Sequence, residues 1–119
     1  MHQPCVLVVE DEPLIRMMLA DQLRDDAFSV IEAENADVAV ELLGKEPKVR
    51  AVITDVRMPG TMDGLELARH IATSWPHLKV FITSGHISAG ATDLPPDAAF
   101  VPKPYTAGAF TRLLRAALH

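Results

Sequence analysis

The feature that most constrains this chain is a recurrence of short, largely apolar runs separated by segments with helical periodicity. Cys5–Val9 is an unbroken apolar run rich in Val, 98–101 is similar, 51–54 and 79–83 are apolar apart from Thr54, Lys79 and Thr83, and a weaker run lies at 29–31 or slightly longer. Runs of this kind lack the in–out alternation of a half-exposed strand, so they are expected to be strands buried on both faces. Between them the spacing turns helical. Pro13 opens a pattern in which Leu14, Ile15, Met18, Leu19 and Leu23 recur to about Asp25. Proline suits the first helical position, and an acidic residue just before it can cap free N–H groups. Asn35 is a plausible cap for a helix marked by Ala36, Ala39, Val40 and Leu43, which Gly44 can end. A third helix runs from Leu65 through Ala68, Ile71, Ala72 and Trp75 to a stop at Pro76. Thr106 can cap a last one, with Phe110, Leu113, Leu114 and Ala117 on one face. Strands alternating with helices predict a parallel sheet covered on both sides, and right-handed crossovers make a five-stranded doubly wound α/β fold the simplest outcome.

Size and charge narrow the function. The 119 residues suit one domain spanning 1–119, and no repeat or linker divides them. A net charge of −5 argues against a protein that binds nucleic acid through its phosphates. No apolar run approaches the roughly 20 residues needed to span a bilayer. Nothing resembles a secretory leader, so a cytoplasmic protein without membrane contact is expected. The single cysteine, Cys5, can form no internal disulfide and is expected to be a small buried hydrophobe.

In an open parallel sheet, ligands bind beyond the carboxyl ends of the strands. Those ends carry Glu10-Asp11-Glu12, Asp55, Ser84 and Lys103. Each has an ordinary explanation: a helix cap, a turn residue, a turn hydroxyl, a solvated loop charge. The set is more specific than its members. Clustered carboxylates raise each other's pKa unless a cation intervenes, and an all-oxygen cluster suits Mg²⁺. Mg²⁺, an ammonium and a hydroxyl together form a receptor for phosphoryl oxygens, with Asp55 as the nucleophile that becomes an acyl phosphate.

Over nearly its whole length the chain resembles the receiver domain of two-component response regulators. The resemblance rests on Val8-Val9-Glu10-Asp11-Glu12, Asp55-Val56-Arg57-Met58-Pro59 with Met62-Asp63-Gly64, Ser84-Gly85, and Lys103-Pro104-Tyr105. It implies the strand order 2-1-3-4-5 and a phosphorylation-controlled switch that accepts its phosphoryl group from a histidine kinase or phosphotransfer protein. Asp55 would be the phosphoacceptor. Asp11 and Asp55 would ligate Mg²⁺, Glu10 would act through water, and Arg57 would contribute its backbone carbonyl. Lys103 would pair with phosphoryl oxygens, and the peptide before Pro104 would be cis. Ser84 would be the switch hydroxyl, with Thr83 a second candidate, and Phe100 the switch aromatic.

Three departures from the family pattern stand out. Gly60-Thr61 lengthens the loop before Met62-Asp63-Gly64 by one residue, and Glu10 replaces the usual Asp. Gly90, Pro95 and Pro96 make the usual fourth helix of the family, over 86–97, a single turn or absent. His70 and His77 are expected on a helix surface and in a turn, and Met17 and Met18 are expected to divide between surface and core. His86, at the mouth of the site, could influence dephosphorylation.

Other classes fit less well. A small aspartyl-phosphate phosphatase needs a general acid two residues beyond its nucleophile, where this chain has Arg57. An unphosphorylated interaction module would not need Asp11, Asp55, Ser84 and Lys103 together. The expected protein is therefore a signalling domain rather than an enzyme acting on a substrate. It is either a single-domain response regulator with an unidentified downstream protein or a receiver excised from a larger regulator or hybrid histidine kinase.

Overall fold

The computed structural model describes residues 3–57, 62–84, 98–103 and 106–118. Five parallel strands form one sheet: β1 (Cys5–Val9), β2 (Ser29–Ala33), β3 (Val49–Asp55), β4 (Lys79–Ser84) and β5 (Ala98–Pro102). Their spatial order is β2-β1-β3-β4-β5. The described helices are α1 (Pro13–Asp25), α2 (Ala36–Lys45), α3 (Gly64–Ser74) and α4 (Ala107–Ala117). The doubly wound α/β expectation, including its strand order, holds. The fourth-helix segment at 86–97, with His86, lies outside the described residues.

Successive strand residues point to opposite faces, and both faces are dry. Cys5, Leu7, Val9, Val52, Val80 and Ile82 meet α2 and α3 on one side. Val6, Val8, Ala51, Ile53, Phe81 and Val101 meet α1 and α4 on the other. This explains the continuous apolar runs. Cys5 is a buried free thiol, as expected, and burial pushes its pKa up.

Local chemistry sets most helix starts. Asn35 Oδ1 accepts from the Val38 N–H at 2.8 Å, and Thr106 Oγ1 from the Ala109 N–H at 3.2 Å. Asp63 and Glu66 form a reciprocal capping box, with bonds of 2.8 and 3.2 Å, so α3 begins at Gly64 rather than Leu65. Glu12 precedes Pro13 without a side-chain cap bond; the Glu10 carboxylate accepts the Glu12 N–H instead, at 3.1 Å.

Several boundaries and faces differ from the sequence reading. Gly44 does not end α2, which continues to Lys45. In β3, Val49 pairs with Cys5 and Ala51 with Val6, so Arg50 is an extra residue and the strand starts earlier than its apolar run. In α1 only Leu19, Ala20 and Leu23 are buried, whereas Leu14, Ile15, Met17 and Met18 are exposed. Met17 and Met18 therefore do not divide between surface and core. Ala72 of α3 and Leu113 of α4 also face solvent, and Leu67 and Thr111 are buried in their helices. His77 is exposed in its turn, and His70 sits edge-on to Trp75 at 5.8 Å.

Candidate functional site

The carboxyl edge of the sheet gathers the charged groups because register leaves no other arrangement. Val9 pairs with Thr54, Asp55 with Thr83, and Ser84 with Pro102. Glu10 and Asp55 thus stand level at the ends of the adjacent β1 and β3, and Lys103 follows β5, on the far side of β4, two residues beyond the rung of Asp55.

Asp55 is held at both carboxylate oxygens. Lys103 Nζ lies 2.6 Å from Oδ2, and the Arg57 N–H donates to Oδ1 at 3.2 Å. The Asp55 side chain is 13% exposed and that of Lys103 35%, so water screens this pair less than it would two surface charges. The backbone is fixed as well. Thr54, fully buried, donates its hydroxyl to the Asp55 carbonyl at 3.0 Å, and the Val56 N–H donates to the Thr83 carbonyl at 3.0 Å. Gly64 donates its N–H to the Val56 carbonyl at 2.9 Å and packs directly on the Asp55 peptide.

On β1 the acidic pair follows Val9. Glu10 is buried and Asp11 exposed. Burial pushes the Glu10 carboxyl up to about 7; a side-chain hydrogen bond with Asp11 and the charges of Asp55 and Asp11 act in the same direction, and the Glu12 N–H acts against them. Glu10 is thus a buried carboxyl on which the charges of Asp11 and Asp55 both act, and a divalent cation relieves repulsion among such groups. Among the described residues, no group of three or more His, Cys, Asp or Glu side chains is disposed to hold a metal. The residues nevertheless fit Mg²⁺, which takes one or two carboxylates and keeps several waters. Asp11, Asp55 and the Arg57 carbonyl are all-oxygen donors of that kind.

The remaining expected residues are placed in part. Thr83 is buried on the rung of Asp55, and the Ser84 backbone ends β4 one residue further on. The Ser84 hydroxyl lies outside what the structure describes, as do the peptide before Pro104 and the Gly60-Thr61 loop. Phe100 is half-buried on β5, against the cluster under α2 and α3. Sequence reasoning missed Arg16, whose Nη1 donates to the Glu10 carbonyl at 2.8 Å. A helical arginine six residues from the acidic turn gave no signal of that contact.

A five-stranded 2-1-3-4-5 sheet with an acidic edge and a lysine on its central aspartate defines a doubly wound α/β domain of the receiver type. The family pattern of the response regulator receiver domain matches residues 6–113, and the chain belongs to that family of two-component signalling domains. It is 39% identical over 87 residues to a putative NtrX-like response regulator of Rickettsia felis, covering 72% of this chain and 18% of that one. It is 39% identical over 107 residues to the sensor kinase CckA of Brucella abortus, covering 85% of this chain and 11% of the kinase. The chain thus spans less than a fifth of either curated relative. Among solved structures, the response regulator TrrA of Thermotoga maritima in complex with Mg²⁺-BeF superposes with a TM-score of 0.84 at 27% identity, covering 97% of this chain and 99% of that one. Among the described residues, no helix is long and apolar enough to cross a membrane.

Proposed function

We propose that this chain is a phosphorylation-controlled switch whose phosphoacceptor is Asp55, and that residues 1–119 form one receiver domain acting in the cytoplasm. The observation that carries this reading is the Asp55 carboxylate held between Lys103 Nζ at 2.6 Å and the Arg57 N–H at 3.2 Å, beside the Glu10-Asp11 pair. Asp55 attacks the phosphorus of a phosphohistidine on a histidine kinase or phosphotransfer protein. An O–P bond forms, the P–N bond breaks, and its electron pair returns to the imidazole nitrogen. Lys103 then follows the charge from the carboxylate to the phosphoryl oxygens.

Mg²⁺, held by Asp11, Asp55 and the Arg57 carbonyl with Glu10 acting through water, would neutralise the equatorial oxygens of the transferring group. The Thermotoga maritima response regulator was solved in complex with Mg²⁺-BeF, which supports a Mg²⁺ role in this fold. Ser84, with Thr83 as second candidate, would hydrogen-bond the phosphorylated Asp55, and Phe100 would repack to carry the signal to a downstream protein. The domain turns over no substrate beyond its own phosphorylation and slow dephosphorylation.

Acetyl phosphate with Mg²⁺ should add the mass of one phosphoryl group, and Asp55→Asn or chelation of Mg²⁺ should abolish it. Undiminished labelling of Asp55→Asn would overturn the assignment. A second reading, a receiver excised from a larger regulator or hybrid histidine kinase, stands beside the single-domain regulator and is supported by the similarity to CckA across 85% of the chain. The length of the native reading frame separates the two.

A further inference from the structure

Arg16 lies on α1 with a side chain only 18% exposed, and it reaches back to the acidic turn. Its Nη1 donates to the Glu10 carbonyl at 2.8 Å, and its Nε faces Glu32 Oε1 of β2 at 3.4 Å. Glu32 is held in turn by Arg24, whose Nη2 lies 3.3 Å from Oε2 and also donates to the Val30 carbonyl at 3.1 Å. On its other side, Glu10 donates its N–H to the Ala33 carbonyl at 3.0 Å. The backbone of Glu10 is therefore tied to the edge strand twice, directly through its amide and through Arg16 and Glu32 at its carbonyl. That carbonyl belongs to the peptide unit that leads into Asp11.

We propose that Arg16 is a positioning residue for the acidic turn: it fixes the Glu10–Asp11 peptide against β2, so that the Asp11 carboxylate is presented to a divalent cation. This rests on the reading above that Asp11 and Asp55 hold Mg²⁺. The guanidinium suits the task because Nε and Nη1 are separate donors in a rigid plane, one for each acceptor. A lysine has one nitrogen on a flexible stem and cannot span both. The pairing with Glu32 also offsets a positive charge that would otherwise oppose a cation nearby.

Charge and position predict opposite signs, which makes the proposal testable. Deleting a cation beside a metal site should by itself tighten Mg²⁺ binding. Losing a group that orients a ligand should weaken it, by tenfold or more on the scale of about 10–100-fold for outer-shell partners. Mg²⁺ titrations by calorimetry on the 119-residue chain, with thermal melts alongside, separate the two. Arg16→Met should raise the Mg²⁺ Kd about tenfold, and Arg16→Lys should not restore it. Glu32→Gln, which keeps Arg16 but loosens its anchor, should weaken binding in the same direction, and should add nothing on top of Arg16→Met. If Arg16→Met does not fold, Arg16→Lys carries the test, because it keeps the positive charge and removes only the two-acceptor geometry. Unchanged or tighter binding in Arg16→Met overturns the proposal, as does wild-type affinity in Glu32→Gln. Absence of Mg²⁺ binding by the wild-type chain would instead overturn the underlying metal reading.

Discussion

A side chain on Gly64 would collide with the backbone of Asp55. A Cβ there would press on the Asp55 carbonyl oxygen, 2.8 Å from its carbonyl carbon and 2.9 Å from Val56 Cα. The atoms in the way are main chain, so no rotamer change relieves the contact. The N-terminus of α3 is thereby seated directly on the residue proposed to carry the phosphoryl group.

Gly64→Ala should therefore destabilise the fold by about 2–3 kcal/mol and slow phosphorylation of Asp55, because β3 and α3 must separate to admit one methyl group. Urea unfolding measures the first effect and acetyl phosphate labelling the second. A loss under about 0.5 kcal/mol, with normal labelling, would mean that the α3 terminus adapts freely.

Glu10 makes stability depend on pH in the absence of Mg²⁺. Its folded-state carboxyl titrates at about 7 against an ordinary value of 4.5, so the folded chain binds the proton more tightly than the unfolded one. The stabilisation is fully present below pH 4.5, and it is lost as pH rises towards about 7. The contribution is at most about 3 kcal/mol. Unfolding free energies between pH 5 and 8 should fall more steeply for wild type than for Glu10→Gln, and saturating Mg²⁺ should flatten the wild-type curve. Parallel curves for the two proteins would show that the Glu10 proton is not linked to folding.

Lys103→Met should separate metal binding from phosphoryl transfer. With the ammonium gone from Asp55 Oδ2, Mg²⁺ should bind as well as before or better, since one competing positive charge is lost. Transfer from acetyl phosphate should slow by about 100-fold, the usual cost of deleting one group that stabilises transition-state charge. Equal losses in both measurements would point to a collapsed site.

Two positions elsewhere hold each other's preferred residue. Ala27, after α1, sits in the left-handed region at φ 73°, where its Cβ is strained. Gly44 lies inside α2 with open space around it. Ala27→Gly and Gly44→Ala should each stabilise by about 0.5–1 kcal/mol, and the gains should add because the sites are independent. A destabilising Ala27→Gly would mean that the backbone there gains more from restricting the unfolded chain than it loses to strain.

The sequence by itself determined the parallel sheet and its charged edge. Strands as apolar as Cys5–Val9 must be covered on both faces, and parallel strands carry their carboxyl ends to one side. The residues following those strands, Glu10, Asp55 and Lys103, therefore had to converge, whatever packed around them. Only the tertiary structure decided what surrounds them. Helical spacing marks Leu14, Ile15 and Met18 as periodic, but how far the sheet covers α1 is settled by docking, and coverage begins at Leu19. Gly64 belongs to the Met62-Asp63-Gly64 motif, which does not show what the residue packs against, and Arg16 looks unremarkable along the chain. Their roles depend on a peptide from β3 and a carboxylate from β2 that lie far away in sequence, because close approach and ion pairing are properties of distances in space that no local pattern encodes.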